Sequence, residues 1–285
     1  MGLYPRRAVI PAAGHGTRLL PLTRAVPKEL LPAGVWPMVH RAVAEAAAAG
    51  LTEVCIVLRR GKETIRQYFE ARGGREDGVL AALRRRCAIR FRVQPQPLGL
   101  GHAVWCARDF VGEEPFVLIV PDQFLVGPRS GTEQLLATAR RIRPPAIVSS
   151  LVRIPREDLP CIPGARGFAG MPPPGARPRV PFPLGGLVPE ATVRRQYIAA
   201  PYEVRGFGRT VYPPEILRWL GPAFRNPASG EVDLAPTFRA ALAVLPHWGV
   251  LLRGRACDLG TWAGYQRFFP VLARPDDQEA APCGW

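Results

Sequence analysis

Behind Glu53 stands an unbroken apolar run, Val54-Cys55-Ile56-Val57-Leu58. A half-buried strand alternates apolar with polar side chains, whereas a strand covered on both faces reads as continuously apolar. The run therefore predicts a strand over 53–58 in the interior of a parallel sheet, with helices on both sides. Its neighbours agree. Arg7-Ala8-Val9-Ile10-Pro11 predicts a short buried strand. Residues 37–50 predict an alanine-rich helix stopped by Gly50, and 62–72 a second helix. A strand over 89–93, a helix over 101–110 and a strand over 115–120 continue the alternation, which implies a doubly wound α/β fold with right-handed crossovers.

The middle breaks this rhythm. Residues 160–183 hold eight prolines, too many for regular structure, and predict an irregular insertion. Regularity returns near 202–211. Helices are expected over 213–220, 231–245 and 262–272, a strand running into a turn over 250–258, and a polar tail over 274–285. At 285 residues, 47% of them apolar, the chain suits one large domain over 1–273. It has no apolar run of about eighteen residues and no leader-like apolar segment, so no membrane span is expected and a cytoplasmic location is. Six cysteines without a C-x-x-C pair read as reduced, packed thiols rather than a zinc or disulfide framework.

The formal net charge is +15, yet Lys28 and Lys62 are the only lysines among 38 Lys and Arg residues. The arginines are spread along the chain without interleaved aromatics, which argues against a nucleic-acid groove. A basic balance does favour a phosphate-bearing partner. The two positions that keep lysine in so arginine-rich a chain are the more informative ones.

Directly after the first strand comes Ala12-Ala13-Gly14-His15-Gly16-Thr17-Arg18. Glycines let a backbone turn tightly and bring bare N–H groups against phosphate oxygens. Arg18 adds a planar cationic fork. Ten residues on, Pro27-Lys28-Glu29 places a lysine in a loop stiffened by Pro21, Pro27 and Pro32. Two rival phosphate loops fail: the third glycine of a dinucleotide fingerprint falls on Leu19, and G-x-x-x-x-G-K-[ST] is absent. Asp122 and Asp258 each follow an apolar strand, at the carboxyl edge where open α/β sheets bind ligands. Each alone would serve as a turn or helix cap. Together, beside a phosphate loop, they suit magnesium held by one or two carboxylates plus substrate phosphates.

The run 12–32, G-x-G-T-R followed by P-K, resembles the signature of the sugar nucleotidyltransferase family, and within it the bacterial UTP–glucose-1-phosphate uridylyltransferases. The likeness continues through 34–50, Arg60-Gly61-Lys62, Gln96-Pro97-Leu98-Gly99-Leu100-Gly101-His102-Ala103, Val120-Pro121-Asp122, Phe207-Gly208-Arg209 and Cys257-Asp258-Leu259-Gly260. It implies a Rossmann-like doubly wound mixed sheet of the nucleotide-diphospho-sugar transferase type. It implies a reaction in which UTP and a sugar 1-phosphate give a UDP-sugar, UDP-glucose in the first instance, and pyrophosphate. By the same resemblance Ala12, Ala13, Gly14, Gly16 and Thr17 bind the nucleotide, Gln94 and Gly99 meet the uracil edge, and Arg18 and Lys28 act on the phosphates. Asp122 and Asp258 hold Mg2+, and a homo-oligomer is an expectation of the same kind.

The sugar half departs from the family pattern. Tyr-Gly-Val/Ile becomes Arg166-Gly167-Phe168, which keeps the glycine. Glu-Lys-Pro, whose lysine grips the sugar phosphate, becomes Val188-Pro189-Glu190-Ala191. The remaining cations are Arg194 and Arg195, and a guanidinium fork is not a point charge. Glu231-Val232-Asp233-Leu234-Ala235-Pro236 keeps the family's Glu-Ile-Gln-Leu-Thr-Asp only in part. This leaves a second expectation: a paralogue that binds a nucleotide or nucleotide sugar without turning it over.

Overall fold

A computed structural model describes residues 4–72, 77–164, 166–176, 180–221, 225, 230–232 and 234–273. The first half alternates strands and helices: β1 (Arg7–Pro11), the small hairpin β2 (Pro32–Ala33) and β3 (Trp36–Pro37), α1 (Met38–Ala48), β4 (Glu53–Leu58), α2 (Glu63–Glu70), α3 (Asp77–Arg86), β5 (Ala88–Val93), α4 (Gly99–Trp105), α5 (Arg108–Val111) and β6 (Phe116–Ile119). The second half is less regular: β7 (Gln123–Val126), α6 (Gly131–Ala139), β8 (Ile147–Pro155), β9 (Gly167–Phe168), β10 (Phe182–Pro183), β11 (Leu187–Val188), α7 (Glu190–Gln196), β12 (Tyr202–Tyr212), α8 (Leu234–Ala241), β13 (His247–Leu251), β14 (Arg255–Asp258) and α9 (Trp262–Leu272).

Among the described residues the central sheet runs β10-β13-β8-β12-β6-β1-β4-β5. Strands β6, β1, β4 and β5 are parallel. Strand β12 lies antiparallel between β6 and β8, which makes the sheet mixed. The apolar run of β4 is explained by its two faces. Val54, Ile56 and Leu58 enter the core packed by α1, α2 and α9, while Cys55 and Val57 enter the opposite core with α4, α5 and α8. The first helix ends where Gly50 adopts φ 86°, a left-handed conformation that spares the chain a Cβ clash.

Several expected elements differ in extent. The helix expected over 101–110 is two helices, α4 and α5, separated at Cys106 and Ala107; the bond from Ala107 N–H to the Val104 carbonyl tightens that junction to a 3-10 turn. The segment expected as a helix over 213–220 is a 3-10 helix, Pro214–Trp219, closed by bonds such as Ile216 N–H to the Pro213 carbonyl and Leu220 N–H to the Leu217 carbonyl. The helix over 231–245 contracts to Leu234–Ala241. The strand expected over 250–258 is two strands hinged at Gly254. Helices α3, α6 and α7 were not expected; α6 carries a capping box from Ser130 and Glu133.

The proline-rich insertion is irregular but docked. Arg153 Nη2 donates to the Ala176 carbonyl, Gln196 Nε2 to the Met171 carbonyl, and Gly175 N–H to the Tyr202 hydroxyl. Cys55, Cys87, Cys106, Cys161 and Cys257 are free thiols. Cys283 and the tail expected over 274–285 lie outside the described residues. Among those residues, no helix is long and apolar enough to cross a membrane.

One buried ion pair ties the sheet to its helical cover. Arg209 on β12 is fully buried, with Nε 2.9 Å from Glu45 Oε1 and Nη2 2.6 Å from Glu45 Oε2 on α1. Glu45 Oε1 also accepts from Thr132 N–H and Oγ1 at the start of α6. Removing one partner of such a pair leaves an uncompensated buried charge. Arg209→Met is therefore expected to lower unfolding free energy by about 3–5 kcal/mol in a denaturant titration, and Glu45→Met/Arg209→Met to recover part of that loss.

Candidate active site

The loop after β1 is anchored at its start, where Ala12 N–H donates to the Val57 carbonyl at 2.8 Å. Ala12 and Ala13 are buried, whereas Gly14, Thr17 and Arg18 are exposed at the carboxyl edge of the sheet. Gly16 takes φ 70°, and a Cβ there would come within 3.1 Å of Thr23 Cγ2. Thr23 Oγ1 donates to the Gly16 carbonyl, closing the loop on the 3-10 turn Thr17–Leu19 that carries Arg18. A second 3-10 turn, Lys28–Leu30, follows Pro27.

Long-range pairing then assembles the charges. Lys28 Nζ lies 2.6 Å from Asp122 Oδ2. Asp258 ends β14, which pairs with β7 so that Asp258 stands opposite Gln123. Asp258 Oδ2 accepts from Gln123 Nε2 at 3.0 Å, and Oδ1 accepts from Gly260 N–H at 2.7 Å. The two carboxylates converge over Gly260: a Cβ there would stand 2.5 Å from Asp122 Oδ2 and 2.9 Å from Asp258 Oδ1.

Their protonation preferences diverge. Burial alone would raise the Asp122 carboxyl, but Lys28 and then Arg18 outweigh it and hold it below the ordinary carboxylate range. Burial and then the Asp122 charge push Asp258 up to about 6. Lys28 is held above its ordinary value; burial opposes this, and Asp122 and Glu29 overcome burial.

The arrangement fits a divalent cation. Lys28 pairs with Asp122, the Asp258 carboxylate converges on the same point, and the cradle at Gly260 is one that a methyl would fill. Among the described residues no third His, Cys, Asp or Glu completes a protein-only cage. That donor set suits a hard ion completed by phosphate oxygens and water.

Behind these groups stand residues to which the sequence assigned no role in the site. Arg209 Nη1 donates to the Val120 carbonyl at 3.0 Å and Nη2 to the Gln123 carbonyl at 2.8 Å, bracketing Asp122. Gln123 Oε1 accepts from Gly208 N–H at 2.8 Å. Lys62, buried at the start of α2, donates to the Ala12 carbonyl at 2.8 Å and to Glu29 Oε2 at 2.6 Å. Burial pushes the Lys62 ammonium down despite Glu29, and pushes the Glu29 carboxyl up despite Lys62. The rarity of lysine was the one signal that singled out Lys62.

Gln94 and Gly99 are brought together: Gln94 Nε2 lies 3.0 Å from the Gly99 carbonyl and 3.1 Å from His102 Nδ1. Gly99 takes φ 85°, and a Cβ there would stand 3.0 Å from the Glu231 side chain. Val232 N–H donates to the Leu98 carbonyl and accepts on its own carbonyl from Gly101 N–H, so 230–232 crosses this segment. Asp233 lies outside the described residues.

On the sugar side, Gly167 is buried in β9, where a Cβ would stand 2.1 Å from Val193 Cγ2. Arg194 pairs with Glu190 on the exposed face of α7, and Arg195 is also exposed. Among the described residues neither forms an ion pair with Asp122 or Asp258. A buried cation does stand nearby in sequence: Arg205 pairs with Glu203, and its Nη2 is 3.9 Å from Glu190 Oε1.

The sequence model of the nucleotidyl transferase family matches residues 7–158. The UTP–glucose-1-phosphate uridylyltransferase of Komagataeibacter xylinus is 30% identical over 269 residues, covering 90% of this chain and 89% of that protein. Its counterpart in Bacillus subtilis strain 168 is 29% identical, over 91% of this chain and 88% of that one. Among solved structures, a UDP-glucose pyrophosphorylase from Acinetobacter baumannii superposes with a TM-score of 0.75 at 25% identity, covering 97% of each chain.

Gly260→Ala tests the carboxylate cradle. The substitution is expected to leave the unfolding transition in place and to weaken Mn2+ binding about ten-fold or more, read by electron paramagnetic resonance.

Proposed function

The chain belongs to the nucleotidyl transferase family, and from that premise we propose that it joins UTP to a sugar 1-phosphate, glucose 1-phosphate in the first instance, releasing pyrophosphate. The observation that carries this reading is the convergence of Lys28, Asp122 and Asp258 beside the glycine loop. The sugar phosphate attacks the α phosphorus in line, so no protein nucleophile is required and catalysis is positioning plus electrostatics.

The roles divide by position. The exposed backbone of Gly14, Gly16 and Thr17 receives the nucleotide phosphates, with Ala12 and Ala13 packed behind it. Gln94 and Gly99 receive the uracil edge, an amide being able to satisfy one donor and one acceptor of a base. Arg18, exposed at the loop's end, holds the leaving pyrophosphate. Lys28 leaves Asp122 to steady the α phosphate and to orient the attacking oxygen. Asp122 and Asp258 would hold a divalent cation, Mg2+ in this reading, which would supply positive charge against the departing pyrophosphate. The reading carries with it a cytoplasmic location and small-molecule partners.

The sugar phosphate is the open half of the site. Gly167 is buried against Val193, and Arg194 and Arg195 are the cations on α7. Arg194 is already paired with Glu190, and this favours a second reading, in which the chain binds UTP or a UDP-sugar without turnover.

Pyrophosphate release with magnesium, UTP and glucose 1-phosphate tests the proposal. The wild type is expected to turn over, and Lys28→Ala to lower kcat about 100- to 1,000-fold, the loss seen when one preorganised electrostatic contact is removed. Unchanged turnover in Lys28→Ala removes Lys28 from the mechanism. UTP binding by calorimetry, with no release from any sugar phosphate, selects the second reading.

A further inference from the structure

The composition poses a question that the proposed reaction does not answer. Lysine survives at two positions among 38 basic residues, and one of them, Lys62, is not placed among the reacting groups. Its ammonium is buried, and both contacts that it makes lead to the site. One is the Ala12 carbonyl, where β1 hands over to the phosphate loop. The other is Glu29 Oε2, on the 3-10 turn that begins with Lys28. Glu29 is itself buried, and among the described residues its other oxygen, Oε1, has no hydrogen-bond partner, so Lys62 fixes the direction of that carboxylate.

Two segments that must meet at the triphosphate are thus pinned to one compact cation at the end of β4. An ammonium on a four-carbon stem can point two of its hydrogens at two closely set oxygens. A guanidinium has a rigid fork and more volume, in a pocket where the Lys62 side chain is only 3% exposed. This accounts for lysine at 62 in a chain that otherwise uses arginine.

We propose that Lys62 is a positioning residue: braced on the Ala12 carbonyl, it acts through Glu29 to set Lys28 in its place against Asp122. The inference rests on the uridylyltransferase reading, in which Lys28 touches substrate. An ångström-scale displacement of a reacting group costs about 100-fold in rate, and supporting partners of this kind about 10- to 100-fold.

A double-mutant cycle on kcat reads the connection. Lys62→Met is expected to lower kcat about 10- to 100-fold. Combined with Lys28→Ala, it is expected to add less than about three-fold to the loss from Lys28→Ala alone, because two residues acting as a unit are not additive. Lys62→Arg is expected to fall with Lys62→Met. Losses that multiply, or full activity in Lys62→Arg, overturn the proposal. Thermal unfolding of each variant accompanies the cycle. If Lys62→Met does not fold, Glu29→Gln/Lys62→Met replaces it, removing both buried charges at nearly constant volume. A wild type silent in pyrophosphate release overturns the reading beneath; an active wild type with multiplicative losses overturns the positioning role alone.

Discussion

Arg209 is the constraint around which the site is built. A guanidinium carries five N–H donors and no acceptor, and inside a protein every donor left unmade is a penalty. Here all five are used. Nε and one hydrogen of Nη2 reach Glu45, the other hydrogen of Nη2 reaches the Gln123 carbonyl, and Nη1 serves the Val120 and Gly208 carbonyls. Three layers are fixed at once: helix α1 through Glu45, strand β12 through Arg209 itself, and the turn holding Asp122 from both sides. Neither charge is tolerable without the other, so fold and site are coupled at this point.

The second constraint is a charge imbalance left on purpose at the carboxyl edge. Lys28 neutralises one carboxylate, Asp122, while Asp258 is raised by burial and then by its neighbour's charge. In the proposed reaction a divalent cation would answer the carboxylates and the substrate phosphates would draw Lys28 away from Asp122, directing binding energy to the place where charge develops rather than to a preformed neutral pocket. The Lys62–Glu29 pair differs in kind. Burial pushes both partners toward their neutral forms, and their contacts are internal, so that pair holds position instead of meeting ligand.

How much of this was legible follows from range. Strands β1 and β4 and helix α9 could be read residue by residue, because an apolar run, a glycine stop and a helical stripe are written locally. The junction between α4 and α5 was not, since nothing in Trp105-Cys106-Ala107 forbids a helix and only the packed structure bends it. Asp122 and Asp258 were legible as strand-end carboxylates, but not their meeting over Gly260, which depends on the register of β7 against β14. Gln123 and Glu45 are ordinary polar residues in sequence, and Glu29 and Arg209 fall within matched segments that assign them no role. Their roles arise from partners 33 to 164 positions away, and no local pattern records that.

The sugar half follows from the same chemistry. Lysine is retained at 28 and 62, where the side chains are 15% and 3% exposed and the space around the cation is closed. On α7 the Arg194 side chain is 69% exposed, and there the bulk of a guanidinium meets no wall. Lysine stands where the pocket is sized for an ammonium, whereas buried Arg209 has acceptors arranged for all five of its donors. Residues 188–195 carry no lysine, and the arginines there lie on an open surface. In the proposed reading a sugar phosphate there would meet exposed arginines, Arg194 being paired with Glu190, whereas the nucleotide would meet groups already fixed by Arg209 and Lys62. The two halves of the site then differ less in charge than in preorganisation, and the side built on closed pockets is the one whose sequence stayed recognisable.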